Sequence, residues 1–354
     1  MSPVRIGTAG WSIPRAAAEG FPGDGSHLAR YARVLLCAEI NSSFHRSHRP
    51  EVYARWAAQA PAGFRFAVKL PRTITHDQRL RASRPLLTRF IAEVSGLGDR
   101  LGVLLVQLPP SLPFEPRPVR TFFELLASMS SAAVVCEPRH ATWFEPAADR
   151  WLVKLQVARV AADPAGWPAA AVPGGWLGPA GDGAGAVVYH RWHGSPRMYY
   201  SAYSDDWLQA RAQELERWPA AAERWCIFDN TASGAAAADA LRLRAWLSME
   251  REISDAAIED MILGLLASRR EGSTLCPSEV ARALAPDDGP WRQRMPQVRR
   301  AAQRLAESNR LSVTRGGVQV DAMSPGGPIR LGLPTATPAS APRSSPSPTS
   351  RSSR

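Results

Sequence analysis

Eight short runs of apolar, often β-branched residues punctuate the first part of this 354-residue chain, and each stops abruptly at a charged, amide or aromatic side chain. The stops are Gly10-Trp11, Glu39-Ile40-Asn41, Lys69, Gln107, Glu137-Pro138-Arg139, Asp163, Arg191-Trp192-His193 and Asp229-Asn230-Thr231, with helix-length amphipathic segments between most of them. Strand alternating with helix eight times in about 250 residues is the pattern of a (β/α)8 TIM barrel. In such a barrel the chemistry sits beyond the carboxyl ends of the strands, which is where these polar residues fall. The pattern says where the chain acts before it says what it does.

Strands are expected at 4–8, 35–41, 64–69, 102–107, 133–137, 157–162, 186–192 and 225–228, and helices at 51–60, 86–96, 119–128, 147–154, 205–217 and 236–249. Successive strand residues face opposite sides, so alternation sorts the polar groups. Cys37, Glu39 and Asn41 share a face, as do Val135, Glu137 and Arg139, and Tyr189, Arg191 and His193. Lys69 shares a face with Ala67 and Arg65 and points at the mouth, whereas Phe64, Phe66 and Val68, like Ile40 and Trp192, belong under the helices. The converging set holds the acids Glu39, Glu137 and Asp163, the cations Lys69, Arg139 and Arg191, and His193, beside Trp11, Asn41, Gln107 and Asn230.

Buried charges must be paired, so one reading of this set is an ion-pair network that holds the barrel mouth together. So many charged groups arriving at one end favour a ligand site. Three cations suit an anion, because arginine offers a planar fork to phosphate or carboxylate and lysine a point charge. The same cations argue against a resident metal, although Glu137, Asp163 and His193 could supply ligands.

Composition narrows the class. Hydrophobic residues make up 45% of the chain, enough for a large core. No stretch approaches the ~20 consecutive apolar residues of a membrane span, and no secretory pattern opens the chain. A soluble cytoplasmic protein without membrane partners is expected. Cys37, Cys136, Cys226 and Cys276 are scattered and read as reduced core residues, not zinc ligands. The net charge of +11 invites a nucleic-acid reading. However, forty-one of the forty-three basic residues are arginine, with Lys69 and Lys154 the only lysines, so genomic base composition explains the excess equally well.

Several linked motifs carry a resemblance. Ile6-Gly7-Thr8-Ala9-Gly10-Trp11-Ser12, Glu39-Ile40-Asn41-Ser42-Ser43-Phe44, Phe64-Arg65-Phe66-Ala67-Val68-Lys69, Thr75-His76, Leu105-Val106-Gln107-Leu108-Pro109-Pro110 and Asp229-Asn230-Thr231 together resemble the YecE-like family, domain of unknown function 72, over about residues 3–249. The resemblance implies a TIM barrel and no particular reaction. It places the family's characteristic polar positions at Trp11, Glu39, Asn41, Lys69, His76, Gln107, Glu137, Arg139, Asp163, His193 and Asn230. Pro138 stands where the family usually has an aromatic, and Asp229 and Asp239 stand where it commonly has asparagine. The stretch 164–185 is rich in Gly, Pro and Ala yet carries Trp167 and Trp176, and its composition points to a disordered insertion more than to a lid.

After about residue 249 the pattern becomes compactly helical, with helices expected at 253–268, 277–284 and 296–308 and a hairpin from 311–314 and 318–321. Three helices and a hairpin describe a winged helix spanning 250–331. Cys276-Pro277-Ser278-Glu279-Val280-Ala281-Arg282-Ala283-Leu284, Trp291-Arg292 and Gly327-Pro328-Ile329-Arg330 resemble domain of unknown function 3253, which implies the same fold. On the third helix Arg300 and Arg304 lie one turn apart, and with Arg299 they are the candidate nucleic-acid contacts. Residues 332–354 are Pro, Ser and Thr-rich and expected to be disordered.

The leading expectation is an enzyme that binds an anionic or phosphorylated small molecule at the barrel mouth and performs acid-base chemistry without a cofactor. Glu137, His193, Asp163 and Lys69 are the candidate catalytic residues. Trp11, Glu39, Asn41, His76, Gln107, Arg139, Arg191, Tyr203 and Asn230 are the candidate binding residues. The alternatives are a non-catalytic nucleic-acid-associated or sensor protein acting through its winged helix, and a metal-dependent phosphoesterase.

Overall fold

The computed structural model describes residues 4–178, 185–219, 221–251, 255–270, 272–284 and 291–334. The chain divides into two units, Met1–Leu247 and Ser248–Arg354.

In the first unit strands and helices alternate as β1 (Val4–Thr8), α1 (His27–Ala32), β2 (Cys37–Ile40), α2 (Pro50–Gln59), β3 (Arg65–Lys69), α3 (Arg84–Val94), β4 (Leu101–Gln107), α4 (Pro116–Met129), β5 (Ala133–Glu137), α5 (Pro146–Lys154), β6 (Ala158–Arg159), β7 (Ala161–Asp163), β8 (Gly174–Gly175), β9 (Val187–Trp192), α6 (Asp205–Glu216), β10 (Glu223–Phe228) and α7 (Ala235–Arg251). Local chemistry explains where the helices begin. Proline opens the first turn of α2, α3, α4 and α5, where its missing N–H has no intrahelical partner to lose. Serine caps α1 and α6, with Ser26 Oγ accepting from the Ala29 N–H at 3.1 Å and Ser204 Oγ from the Trp207 N–H at 3.3 Å.

The strands form two sheets. One runs β1-β10-β9-β7, all parallel; the other runs β2-β3-β4-β5-β6-β8, parallel except that β8 is antiparallel to β6. The sixth expected strand is divided into β6 and β7 around Val160, so its two halves pair in different sheets. Between β1 and β2 the ladder shrinks to a bridge of Ala9 with Glu39, with the Gly10 N–H donating to the Glu39 carbonyl at 2.8 Å. Gly7 makes this approach feasible, because a Cβ there would stand 2.1 Å from the Cys37 carbonyl oxygen.

Two apolar layers follow strand alternation. Cys37, Ala67, Val103, Leu105, Val135, Ala158, Val160, Tyr189, Trp225 and Ile227 belong to one buried cluster. Their strand neighbours, including Ile40, Phe66, Val68, Leu104, Cys136, Trp192 and Phe228, belong to a second cluster shared with the helices. Cys37, Cys136 and Cys226 are buried and unbridged.

The segment after β7 departs from its compositional expectation. Residues 168–170 form a short helical turn, β8 follows, and the Trp176 N–H donates to the Val157 carbonyl at 2.9 Å. Asp149 on α5 ties the segment down by accepting from the Gly175 N–H at 2.9 Å and from Arg159 Nε at 3.3 Å, while Arg159 Nη1 donates to the Ala169 carbonyl. The remainder of that expected insertion, 179–184, lies outside the described residues.

The second unit contains α8 (Asp255–Ala267), α9 (Pro277–Ala283), α10 (Met295–Glu307) and a three-stranded antiparallel sheet of β11 (Ser312–Arg315), β12 (Val318–Gln319) and β13 (Arg330–Gly332), in the order β12-β11-β13. Ile258, Ile262, Val298, Ala301, Ala302 and Leu305 meet in its core. The third strand goes beyond the expected hairpin: Arg330, Leu331 and Gly332 pair with β11, the last of them inside the expected tail. Residues 335–354 lie outside the described residues. Among the described residues no helix is long and apolar enough to cross a membrane.

Candidate functional site

Arg191, near the end of β9, is the centre of the charge cluster. It is 1% exposed, and its guanidinium meets three carboxylates. Nε and Nη2 donate to Glu39 at 3.0 and 2.7 Å, Nη1 donates to Glu137 at 2.6 Å, and Nη2 also reaches Asp229 at 2.9 Å. Tyr189, two residues earlier on the same face, donates to Glu39 at 3.0 Å. Arg191, Glu39 and Glu137 thus come from β9, β2 and β5, as alternation requires.

A second layer surrounds His193. Its Nδ1 lies 3.0 Å from Asp229, and its Nε2 lies 3.0 Å from Arg139 Nη2 and 3.3 Å from Glu137. Arg139 also pairs directly with Glu137. A neutral ring with its proton on Nδ1 donates to Asp229 and accepts from Arg139; a doubly protonated ring can donate to Glu137 instead. His193 is therefore held in place in either state.

The electrostatics follow from this pairing. Burial opposes the charge on Glu137, but Arg191, Arg139 and His193 outweigh it and hold the carboxyl well below its ordinary range. Burial likewise opposes ionisation of Asp229, and Arg191, His193 and Lys69 override it to lower its pKa. Arg191 is kept charged despite burial by Glu39, Glu137 and Asp229. Lys69 moves the other way. Burial and then Arg191 push its pKa down, against Glu39, Glu137 and Asp229. Among the described residues no carboxylate lies within ion-pair distance of Lys69, and its ammonium sits 4.1 Å from the centre of the Phe44 ring.

Beside this cluster lies a cavity of about 380 Å³, lined by Lys69, Gln107, Arg139, Arg191 and Asp229 below and by Phe144, Trp167, Met198 and Tyr199 among its apolar walls. Its charged border is three cations and one carboxylate; Glu39, Glu137 and His193 stand behind it. A wider groove of about 1060 Å³ runs between the start of α3 and α4, where the charges are exposed, as in the Arg81–Glu115 pair at 2.6 Å.

The structure separates several sequence candidates from this cluster. Ala162, not Asp163, faces the cavity, and Asp163 accepts from the Tyr203 hydroxyl at 2.7 Å. Tyr203 is bonded also to the Gly194 N–H, so this pair fastens the loop after β9. Asn230 donates to the Ser201 carbonyl at 2.9 Å and to Asp239 at 2.7 Å, while its neighbour Asp229 borders the cavity. Trp11 packs edge-on against Trp56 and Phe66. His76 rests on Phe44 and bonds Thr75 at 2.9 Å, with burial and then Lys69 lowering its pKa. Asn41 keeps a buried side-chain oxygen without a hydrogen-bond partner. Sequence reasoning missed Asp229, Phe44, Trp167 and Tyr199 as site residues. Asp229 had a usable signal, since it continues the inward face of Trp225 and Ile227.

Asp229 and Asp239, the two acids in positions where asparagine was expected, each meet a cation: Asp229 meets Arg191, and Asp239 meets Arg242 at 2.6 Å. In the second unit Arg304 pairs with Glu259 at 2.8 Å and Asp255 at 3.1 Å, and Arg299 donates to the Ala322 carbonyl at 3.1 Å. Arg300 lies on the same helix, α10.

Parallel strands in two sheets, with buried charge gathered where those strands end, define an α/β protein whose candidate site lies at the strands' carboxyl ends. Residues 5–260 match the family model Protein of unknown function DUF72, and the chain belongs to that family. Residues 255–334 match the model Protein of unknown function DUF3253. UPF0759 protein YecE of Escherichia coli strain K12 is 35% identical over 126 residues, 36% of this chain and 44% of that relative, so the aligned stretch spans less than half of the relative's length. A crystal structure of a DUF72 family protein from Enterococcus faecalis V583 is similar with a TM-score of 0.56 at 18% identity, covering 70% of this chain and 96% of that one. Another, from Thermotoga maritima MSB8, has a TM-score of 0.55 at 22% identity and covers 69% and 99%. At these identities the likeness is one of fold.

Proposed function

We propose that the two parallel sheets are the wall of a (β/α)8 TIM barrel with seams at β1/β2 and β6/β7, that residues 250–331 form a winged helix, and that the barrel mouth is the active site of an enzyme for an anionic or phosphorylated small molecule. The observation that carries the ligand reading is the charge on the cavity border: Lys69, Arg139 and Arg191 face it with Asp229 alone opposing them. Arg191 is already bonded to three carboxylates, so the anion's contacts are Lys69, Arg139 and the amide of Gln107.

Lys69 is the proton-transfer group of this reading, because burial and Arg191 bring its amine closer to neutrality while it borders the cavity. Glu137 and His193 act as positioning residues. They lie behind the cavity border and hold Arg139 and Asp229 in place through the bonds described above. Trp167 and Tyr199 contribute apolar surface to one wall. The experiment is mass spectrometry of small molecules that copurify with the wild-type chain and with Lys69→Ala. An anionic metabolite present in the first and lost in the second supports the reading; identical profiles remove it.

A further inference from the structure

In a chain that uses arginine for forty-one of its forty-three basic residues, the cavity holds one of the only two lysines. The other, Lys154, is exposed at the end of α5 with its ammonium 5.1 Å from the centre of the Trp151 ring. Arginine supplies positive charge nearly everywhere else in this chain. It does not substitute where an amine must lose its proton and act as a nucleophile.

The surroundings of Lys69 fit that second use. A lysine that serves only to balance charge is expected beside a carboxylate, but Lys69 faces an aromatic ring and an open cavity, while Glu39, Glu137 and Asp229 are bonded to Arg191. Burial and the neighbouring Arg191 favour the neutral amine, and they outweigh the three carboxylates that favour the ammonium, as the Phe44 ring also does. Asp229, on the border of the same cavity, is held by His193 and Arg191 as a carboxylate.

We propose that Lys69 Nζ is a covalent catalytic group that forms an imine with the carbonyl carbon of an aldehyde or ketone substrate bearing a phosphate or carboxylate. This rests on the reading of the cavity as an anion site and assigns the substrate's second functional group. In the step, the Nζ lone pair forms a bond to the carbonyl carbon. The π pair moves to the oxygen, which takes up the proton released by nitrogen through solvent. The resulting hydroxyl takes a second proton, the one the ammonium gave up to solvent before the attack, so that the C–O bond breaks with water leaving while the nitrogen lone pair completes C=N. Counted from the ammonium form, one carbonyl and one ammonium give one protonated imine and one water, with no oxidant or reductant required. Arg139 and Gln107 hold the substrate's anionic end, and Phe144, Trp167 and Tyr199 line the apolar walls around its carbon skeleton.

The test uses pyridoxal 5′-phosphate, an aldehyde and a phosphate in one molecule, as an affinity label on the full chain at neutral pH. Sodium borohydride then reduces any imine to a stable amine, and peptide mass spectrometry locates it. The expected result is labelling of Lys69 ahead of Lys154, with inorganic phosphate slowing the Lys69 reaction only. Lys69→Arg keeps the charge and is expected to lose the label while inorganic phosphate still raises its unfolding temperature. Labelling of Lys154 as fast as Lys69 overturns the proposal. If Lys69 stays unlabelled while phosphate stabilises the wild-type chain, the anion site stands and the covalent amine falls. If phosphate neither stabilises the chain nor slows labelling, the anion site itself falls. Site-resolved labelling of the wild-type chain decides the matter even if the variant does not fold.

Discussion

Arg191 and Glu39 meet in a two-point ion pair, Nε to Oε2 at 3.0 Å and Nη2 to Oε1 at 2.7 Å, with exposures of 1% and 0%. The pair joins β9 of one sheet to β2 of the other. Removing one partner strands a buried charge, whereas exposed pairs contribute little. Glu39→Ala or Arg191→Ala is therefore expected to lower unfolding stability by ~3–5 kcal/mol. Chemical denaturation of both variants checks this, and a loss comparable to that of exposed Arg120→Ala, whose i,i+4 pair with Glu124 is solvated, contradicts it.

Acid should unfold the protein through Glu137 and Asp229. Both have folded-state pKa values lowered from ordinary values of 4.5 and 3.8, so the unfolded chain binds protons first as the pH drops. Their contribution is complete above those ordinary values and is lost progressively as pH falls through them toward the folded-state values. Unfolding midpoints measured between neutral pH and pH ~3 are expected to decline, with a shallower decline in Glu137→Gln, which no longer titrates at that position. An equal slope in the two proteins would sink this assignment.

Asp149→Ala is expected to free the segment between β7 and β8 without unfolding the sheets. It leaves the Gly175 N–H without its acceptor and Arg159 without its carboxylate, a local cost of about 1–3 kcal/mol. Gly175 itself has a φ of +63°, and a Cβ there would meet the Val157 carbonyl oxygen at 2.5 Å, so the turn has no slack to compensate. Hydrogen exchange should accelerate over residues 164–178, which include the cavity-lining Trp167, and remain unchanged in β3 and β4. Unchanged exchange in that segment contradicts the tether.

Much of this arrangement was legible in the chain. The apolar runs and their polar stops located the strands to within a few residues, and alternation brought Glu39, Glu137 and Arg191 together. Applied one residue further, the same rule separates Asp229 from Asn230 and Ala162 from Asp163. Asn230 and Asp163 come from the polar stops and the family resemblance, whereas the backbone sorts by position. Residues 164–178 were misjudged because Gly, Pro and Ala carry no local signal of order, and the groups that hold the segment, Asp149 and Arg159, precede it in the chain. Arg304 shows the same limit: helix spacing sets it one turn from Arg300 as a candidate nucleic-acid contact and says nothing of its ion pairs to α8.

The most direct test of the anion site is the unfolding temperature of the wild-type chain, Lys69→Ala, Arg139→Ala and Arg81→Ala across a series of inorganic phosphate concentrations at constant ionic strength. Binding to the folded state alone stabilises by mass action, so the wild-type chain should gain about 2.7 kcal/mol at a hundredfold excess over the dissociation constant. Arg81→Ala, altered in the outer groove, should respond as the wild type does, and the two cavity variants should respond weakly or not at all. A phosphate response of equal size in all four proteins, or in none, contradicts the account.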